Sequence, residues 1–271
     1  MLFTKMNGIG NDYIFVEKKN LERQLNKEDI RYLCDRNRGI GSDGIVILSE
    51  SKIADIRMVI YNADGSRAEL CGNALRCVAK YFYDRYANKN ELSIETDSGI
   101  KRSLVLGDTV KVLIGKAAVD GVPYNYNKCI IGYKVNIGNP HFIVLNSKTG
   151  DFEKFARSIS EDVNVFPNKT NVEFVYKEKR QYRIRVYERG SGETMACGSG
   201  TAATYSVLRA LNICAEKETF TLKGGRLECS SNENGDVFIE GSADYNYEGE
   251  LNLNNATYQR QLSRYKGNLL I

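Results

Sequence analysis

Gly10-Asn11-Asp12-Tyr13-Ile14-Phe15-Val16 returns 128 positions later as Gly138-Asn139-Pro140-His141-Phe142-Ile143-Val144, and this repetition decides the fold. Each copy reads G-N-x-x followed by three apolar residues. A second pair of landmarks keeps nearly the same offset. Tyr61 stands ten residues before Cys71 and Tyr187 ten before Cys197, so Cys71-Gly72-Asn73 and Cys197-Gly198-Ser199 lie 126 positions apart. Strings as short as G-N or C-G recur by chance, but chance does not also preserve order, spacing and flanking periodicity. The chain is read as an internal duplication.

Outward from these landmarks the period switches the same way in both halves. Ile56 to Tyr61 and Tyr182 to Tyr187 read as strands, the second with clear alternation. Ala74, Val78, Ala79 and Phe82 then follow Cys71 at helical spacing, as Ala202, Ala203, Val207 and Leu211 follow Cys197. Each cysteine therefore sits where a loop enters a helix. Gly44 to Leu48, Leu92 to Glu95, Val110 to Ile114, Val172 to Tyr176, Phe220 to Leu222 and Val237 to Glu240 are further strands, separated by turn signals such as Asp120-Gly121 and Asn234-Gly235. The expectation is two α+β domains: residues 1–115 carrying Cys71, joined by a returning C-terminal segment 260–271, and residues 116–259 carrying Cys197.

At 271 residues the chain is comfortable for two such domains. Hydrophobic residues at 42% and charged residues at 27%, with no long single-sign run, describe a globular chain. The net charge of +4 comes from Lys and Arg spread along the whole length, which argues against a nucleic-acid surface. No apolar run approaches bilayer length, and the opening M-L-F-T-K-M-N-G has neither the charged nor the apolar region of a secretory signal, so a cytoplasmic location without a membrane partner is expected. Seven cysteines, an odd number without any C-x-x-C, fit neither a disulfide framework nor a zinc ribbon. With His141 the sole histidine and no G-x-S-x-G elbow, a His-rich metal site and a serine triad are both set aside.

A thiol at a helix start feels the positive end of the helix dipole and the unpaired N–H groups there, which favours thiolate and makes it a base. Inverting an amino-acid Cα needs a base on one face and an acid on the other. Cys71 and Cys197, one per repeat, meet that need, and their titrations must be coupled because each turnover exchanges their protonation states. The N–H groups of Gly72, Asn73, Gly198 and Ser199 suit the substrate α-carboxylate. Most cysteines near a helix are simply buried, and that reading serves for Cys34, Cys77, Cys129, Cys214 and Cys229. His141, after Asn139-Pro140, suits a turn, with tuning of the thiols as the sharper alternative. Glu188-Arg189 would be an ordinary strand-end charge pair but for its place in the repeat, matching Asn62-Ala63.

These motifs resemble the diaminopimelate epimerase family. The resemblance runs from Phe3 to near the C-terminus through K-M-N-G-I-G-N-D-Y (Lys5 to Tyr13), Tyr61-Asn62-Ala63-Asp64-Gly65-Ser66, the Cys71 turn, Gly138 to His141, Thr170-Asn171-Val172-Glu173-Phe174, and Glu188-Arg189-Gly190 leading to Ala196-Cys197-Gly198-Ser199-Gly200. It implies two pseudo-symmetric domains, each a mostly antiparallel, barrel-like sheet around a central helix, with the active site in a cleft between them. It implies conversion of LL-diaminopimelate to the meso form with neither pyridoxal phosphate nor metal, for lysine and peptidoglycan synthesis. Cys71 and Cys197 match the family's acid and base. Asn11, Asn62, Asn139, Asn171, Glu188 and Arg189 match its substrate-binding positions, Gly72, Asn73, Gly198 and Ser199 its carboxylate cradle, and His141 and Glu188 the groups thought to modulate the thiols. Two positions depart: the family's C-G-N-G ends here in Ala74, and Gly44 stands where some members carry a glutamine.

A substrate that is an amino acid at both ends needs a second ammonium and carboxylate satisfied away from the reacting carbon, which Arg189, Glu188 and the asparagines can do. The nearest rival is another two-cysteine racemase, acting on histidine, proline or hydroxyproline, which would leave several of those groups unpaired. A thiol-redox or ligand-binding protein that merely keeps the fold would need only one reactive cysteine. A homodimer is the common prior for a soluble enzyme.

Overall fold

The computed structural model describes every residue except Asn88, Cys129, 147–150 and 269–271, so the expected burial of Cys129 lies outside the described residues. By contacts the chain forms two compact units, Met1–Asp108 with Ala243–Ile271, and Thr109–Ser242. Unit 1 begins with β1 (Leu2–Gly8), β2 (Asn11–Glu17), α1 (Lys27–Cys34), β3 (Gly44–Ser49), β4 (Ile56–Asn62), β5 (Arg67–Ala68), α2 (Gly72–Tyr86), β6 (Glu91–Thr96) and β7 (Gly99–Leu106). Its strands run β1, β2, β3, β4, β6, β7 with pairings that alternate antiparallel, parallel, antiparallel, parallel, antiparallel.

Unit 2 contains β8 (Thr109–Lys116), β9 (Ala118–Val119), β10 (Tyr124–Tyr126), β11 (Ile130–Asn136), β12 (Pro140–Leu145), α3 (Phe152–Ser160), β13 (Asn171–Glu178), β14 (Gln181–Glu188), β15 (Gly192–Glu193), α4 (Gly198–Ala210), β16 (Lys217–Thr221), β17 (Arg226–Ser231) and β18 (Asp236–Ser242). The succession β11, β12, β13, β14, β16, β17 repeats the same alternation of pairings. The α+β duplication is therefore present strand by strand. The chain then returns to unit 1 as β19 (Asp244–Glu250) and α5 (Ala256–Asn268).

The sequence reading places its first seam near residue 115 and the return near 260, whereas the units divide at 108/109 and 242/243. Strand pairing is the reason. β8 is bound along its length to β18 within unit 2, while β19 is bound to β1 within unit 1.

In each unit one helix is central, and outside it lie α1 and α5 in unit 1 and α3 in unit 2. α2 packs against β1, β2, β6 and β7, and α4 against β11, β12, β13, β17 and β18. Leu75, Val78 and Ala79 of α2 are fully buried, as are Ala202, Ala203 and Val207 of α4; each larger side chain among them contributes about 2 kcal/mol of hydrophobic stabilisation. Ala74 is also fully buried and has no positive φ, so the alanine found where the family has glycine sits in ordinary helical backbone. The outer helices α1 and α3 cover the other sheet face: Ile30 and Leu33 meet Ile14, Val16 and Ile45, while Phe152, Ala156 and Ile159 meet Phe142, Val172 and Phe174. A capping box starts α1, in which Asn26 and Asp29 satisfy each other's backbone N–H.

Gly44 pairs with Tyr13 on one side and Asn62 on the other. A Cβ there would lie 2.3 Å from the Tyr61 carbonyl oxygen and 3.1 Å from the Tyr13 ring, so the position admits no side chain without moving β4. Gly44→Ala is expected to destabilise the protein by about 2 kcal/mol, read as a lowered urea midpoint at unchanged slope. An unchanged midpoint would mean that β4 yields freely.

Candidate active site

Cys71 and Cys197 occupy the same structural position, the N-cap of the central helix in their unit, with extended backbone (φ −139° and −126°). At that position the first N–H groups of each helix, at Gly72, Asn73, Gly198 and Ser199, have no carbonyl one turn behind them. Two dipole ends with small residues therefore lie beside two thiols.

In unit 1, Cys71 is half-buried. The Tyr13 hydroxyl donates to its Sγ at 3.1 Å, and its thiol faces Asn11 Oδ1 at 3.6 Å. Asn11 Oδ1 also accepts from Asn73 Nδ2 at 3.2 Å, while Asn11 Nδ2 donates to Asp43 at 2.6 Å. Because the amide nitrogen faces a carboxylate, the amide oxygen is fixed toward the cysteine. Behind Asp43 lies an ion-pair network: Arg36 bridges Asp12 and Asp43 at 2.6 and 2.9 Å, and Lys5 reaches Asp12 at 2.7 Å. Burial works against ionising Asp12, but its bonds to Arg36 and Lys5 outweigh it and hold the carboxyl at about 2. Asn62, at the end of β4, is exposed and gives its amide to Ser66 at 3.0 Å.

In unit 2, Cys197 is buried, accepts the Gly200 N–H at 3.3 Å and lies 3.4 Å from Ser199 Oγ. Burial pushes its pKa well above the ordinary thiol range, the charges of Glu188 and Glu173 add to that, and the Ser199 and Gly200 bonds oppose it. Glu188, which ends β14, is raised as well: burial acts first, the Glu173 charge adds, and bonds to Thr194 and Cys197 together with the charge of His141 pull the other way. The Thr194 hydroxyl holds Glu188 at 2.6 Å. Burial and the two carboxyl groups thus all act against ionisation of this thiol.

His141 is completely buried on β12 and so does not lie in an exposed turn. Nδ1 lies 2.8 Å from Glu173 Oε1 and Nε2 3.0 Å from Asn139 Oδ1. Its partner Glu173 is one of the charges that act on Cys197. Glu173 is fully buried beneath the first turn of α4, where a Cβ on Gly200 would lie 2.2 Å from its Oε1. Asn171 Oδ1 accepts the Arg189 N–H at 2.9 Å, and the exposed Arg189 guanidinium bonds the Asn168 carbonyl at 2.9 Å.

Of the residues singled out from sequence, the structure joins Asn11, Cys71 and Asn73 in one hydrogen-bonded group. It brings Cys197, Ser199 and Glu188 into a second, and it pairs His141 with Asn139 and Asn171 with Arg189. Tyr13, Asp43, Glu173 and Thr194 are additions. The repeat carried the signal for Tyr13, since two residues past Asn11 it stands where His141 stands past Asn139. Glu173 gave a weaker one, a single acid inside an apolar strand. Among the described residues no group of three or more His, Cys, Asp or Glu side chains is arranged to hold a metal ion, and no helix is long and apolar enough to cross a membrane.

The family model described as Diaminopimelate epimerase matches residues 3–119 and 133–245. The diaminopimelate epimerase of Methanococcus maripaludis is 37% identical over 278 residues, covering 93% of this chain and 100% of that protein. That of Acetivibrio thermocellus is 38% identical over 279 residues, covering 94% and 99%. Among solved structures, a phenazine biosynthesis protein of the PhzF family from Bacillus anthracis superposes with a TM-score of 0.72 at 16% identity, over 93% of this chain and 99% of that one. A hydroxyproline epimerase from Agrobacterium vitis gives 0.66 at 14% identity, over 95% and 94%. At those identities the two structures speak for the fold alone.

Proposed function

Because the chain belongs to the diaminopimelate epimerase family, we propose that Cys71 and Cys197 carry out its epimerisation as a thiolate and thiol pair. The reaction interconverts LL- and meso-diaminopimelate, on the route to lysine. The observation that carries the assignment of the pair is the equivalent placement of both thiols, each at the N-cap of the central helix of its repeat.

One thiolate takes the Cα proton, and the electron pair of the broken C–H bond spreads into the α-carboxylate. The other thiol then delivers its proton to the opposite face, which forms the new C–H bond and leaves that sulfur as thiolate. The N–H groups of Gly72, Asn73, Gly198 and Ser199 bind the carboxylate where negative charge grows. Asn11, Asn62, Asn139, Asn171, Glu188 and Arg189 hold the remaining polar groups, including the distal ammonium and carboxylate. Glu188, with His141 acting through Glu173, sets the proton affinity of Cys197. The same reading takes the active form as a cytoplasmic homodimer, since a reducing compartment keeps both thiols available and a two-fold dimer is the commonest assembly.

Incubation of the reduced protein with LL-diaminopimelate in deuterium oxide tests the pair. Meso product is expected to carry solvent deuterium at the inverted Cα, because the delivered proton comes from a thiol equilibrated with solvent. Racemisation of other amino acids without reaction of diaminopimelate would overturn the substrate, and inversion with full retention of the original hydrogen would overturn the two bases.

A further inference from the structure

The duplicated frame sets a polar aromatic side chain at the same place in each half, and the two halves use it differently. Tyr13 on β2 pairs with Gly44 of β3, as His141 on β12 pairs with Asn171 of β13. Each lies two residues beyond the asparagine of its G-N motif. His141 turns to Glu173, whereas Tyr13 donates its hydroxyl to the Cys71 sulfur at 3.1 Å.

We propose that Tyr13 is a positioning residue for the Cys71 thiolate, its phenol O–H stabilising the sulfur anion while Asn11 Oδ1, fixed by Asp43, receives the S–H when Cys71 is protonated. Cys71 thus lies between a donor suited to one protonation state and an acceptor suited to the other. Such a setting lets one sulfur release and regain a proton without reorganising its neighbours. Cys197 is held differently, buried with carboxylates around it. The two halves therefore give their sulfurs unequal surroundings, a phenol donor and an amide acceptor at Cys71 and nearby carboxyl groups at Cys197. The proposal rests on the two-thiol reading.

The ionisable groups on the elements packed around Cys71 include Lys5 on β1, Asp12 and Tyr13 on β2, Asp43 just before β3, Arg76 and Cys77 on α2, and Asp244 on β19. Lys5, Asp12, Arg36 and Asp43 pair among themselves, and Asp43 acts on the thiol through Asn11. Arg76 is completely buried, its guanidinium beside Gly8.

The test is the pH dependence of iodoacetamide labelling at Cys71 and Cys197, measured separately by peptide mass spectrometry on the whole reduced protein. Removing a donor from an anion disfavours the anion. Tyr13→Phe is expected to move the Cys71 midpoint up by about one unit and to slow its labelling below that midpoint about tenfold. The Cys197 profile should stay in place, and the acid limb of kcat/KM should move up with the Cys71 midpoint. An unmoved Cys71 midpoint in folded Tyr13→Phe overturns the proposal. Should Tyr13→Phe not fold, 3-fluorotyrosine installed at position 13 supplies a stronger donor and must lower the midpoint; no change again overturns it. Failure of the two-thiol reading shows elsewhere, as epimerisation retained in Cys71→Ala, and is not confused with this result.

Discussion

Cys71→Ala and Cys197→Ala are each expected to lower epimerisation at least about 10³-fold, because on the two-thiol reading each removes the acid or base assigned to one face of the substrate. The effect is one of chemistry and not of folding. Cys71 makes no side-chain cap bond, and loss of the Cys197 cap to the Gly200 N–H costs about 1 kcal/mol, small beside the core burial of α2 and α4. The double variant should fall little further than either single one, since acid and base act as a unit and half a pair cannot invert a centre. Exchange of the Cα hydrogen without inversion can persist in a single variant at the surviving thiol, and following deuterium and stereochemistry together separates the two. Turnover within about tenfold of wild type in either variant, with an unaltered melting curve, would remove that cysteine from the mechanism.

Stability should fall steeply above pH 9. Burial pushes the Cys34 thiol to about 11, against the opposing Ser42 bond, and the Cys77 thiol to about 12, against the nearby Arg76 charge. Cys197 is raised as well. A thiol whose folded pKa is raised holds its proton more tightly in the folded state. The unfolded chain then ionises first, near the ordinary value of about 8.5. The stabilisation is complete below that pH and is lost as pH climbs toward the folded values. Each such thiol tilts the balance by about 1.4 kcal/mol per pH unit, so Cys34 and Cys77 together remove about 3 kcal/mol per unit across roughly pH 9 to 11. Against a total stability of about 5–15 kcal/mol, that is a large share by the top of the window. Urea midpoints under reductant at pH 7.5 and 10.5 measure the loss. Cys77→Ala should be less stable at neutral pH and show the shallower alkaline slope, while equal midpoints at both pH values for the parent protein would show that the thiols do not carry the effect.

The duplication was legible because it lies in side-chain chemistry that a loop, a strand and a helix entry each demand. G-N turns, alternating strands and a cysteine followed by glycine recur together, and the central helices and most strands follow from that. β19 was not legible. Its residues, Asp244 to Glu250, are polar and mostly exposed, and they form a strand because β1 presents an unpaired edge to them. The same pairing moves the return into unit 1 well upstream of residue 260. α1 and α3 carried readable caps at Asn26 and Asp151, yet both are short and gain most of their stability from packing on the sheet. At the site, sequence reached the side chains expected to touch substrate more readily than those behind them. Tyr13 and Glu173 sit inside apolar strand runs, where hydrophobic pattern conceals a polar atom turned inward.

The joining of β1 to β19 also sets an order of events on the ribosome. Unit 2 is one continuous stretch and has all its strands once residue 242 has emerged, whereas the first strand synthesised waits for a partner some 240 residues away. Long-range pairing of this kind is slow to form and exposes an unpaired edge in the meantime. Released chains that end at residue 242 should therefore hold a protease-resistant second half and a first half with a bare β1 edge. It is that edge, and not the catalytic half-sites, that a holding chaperone would most need to cover.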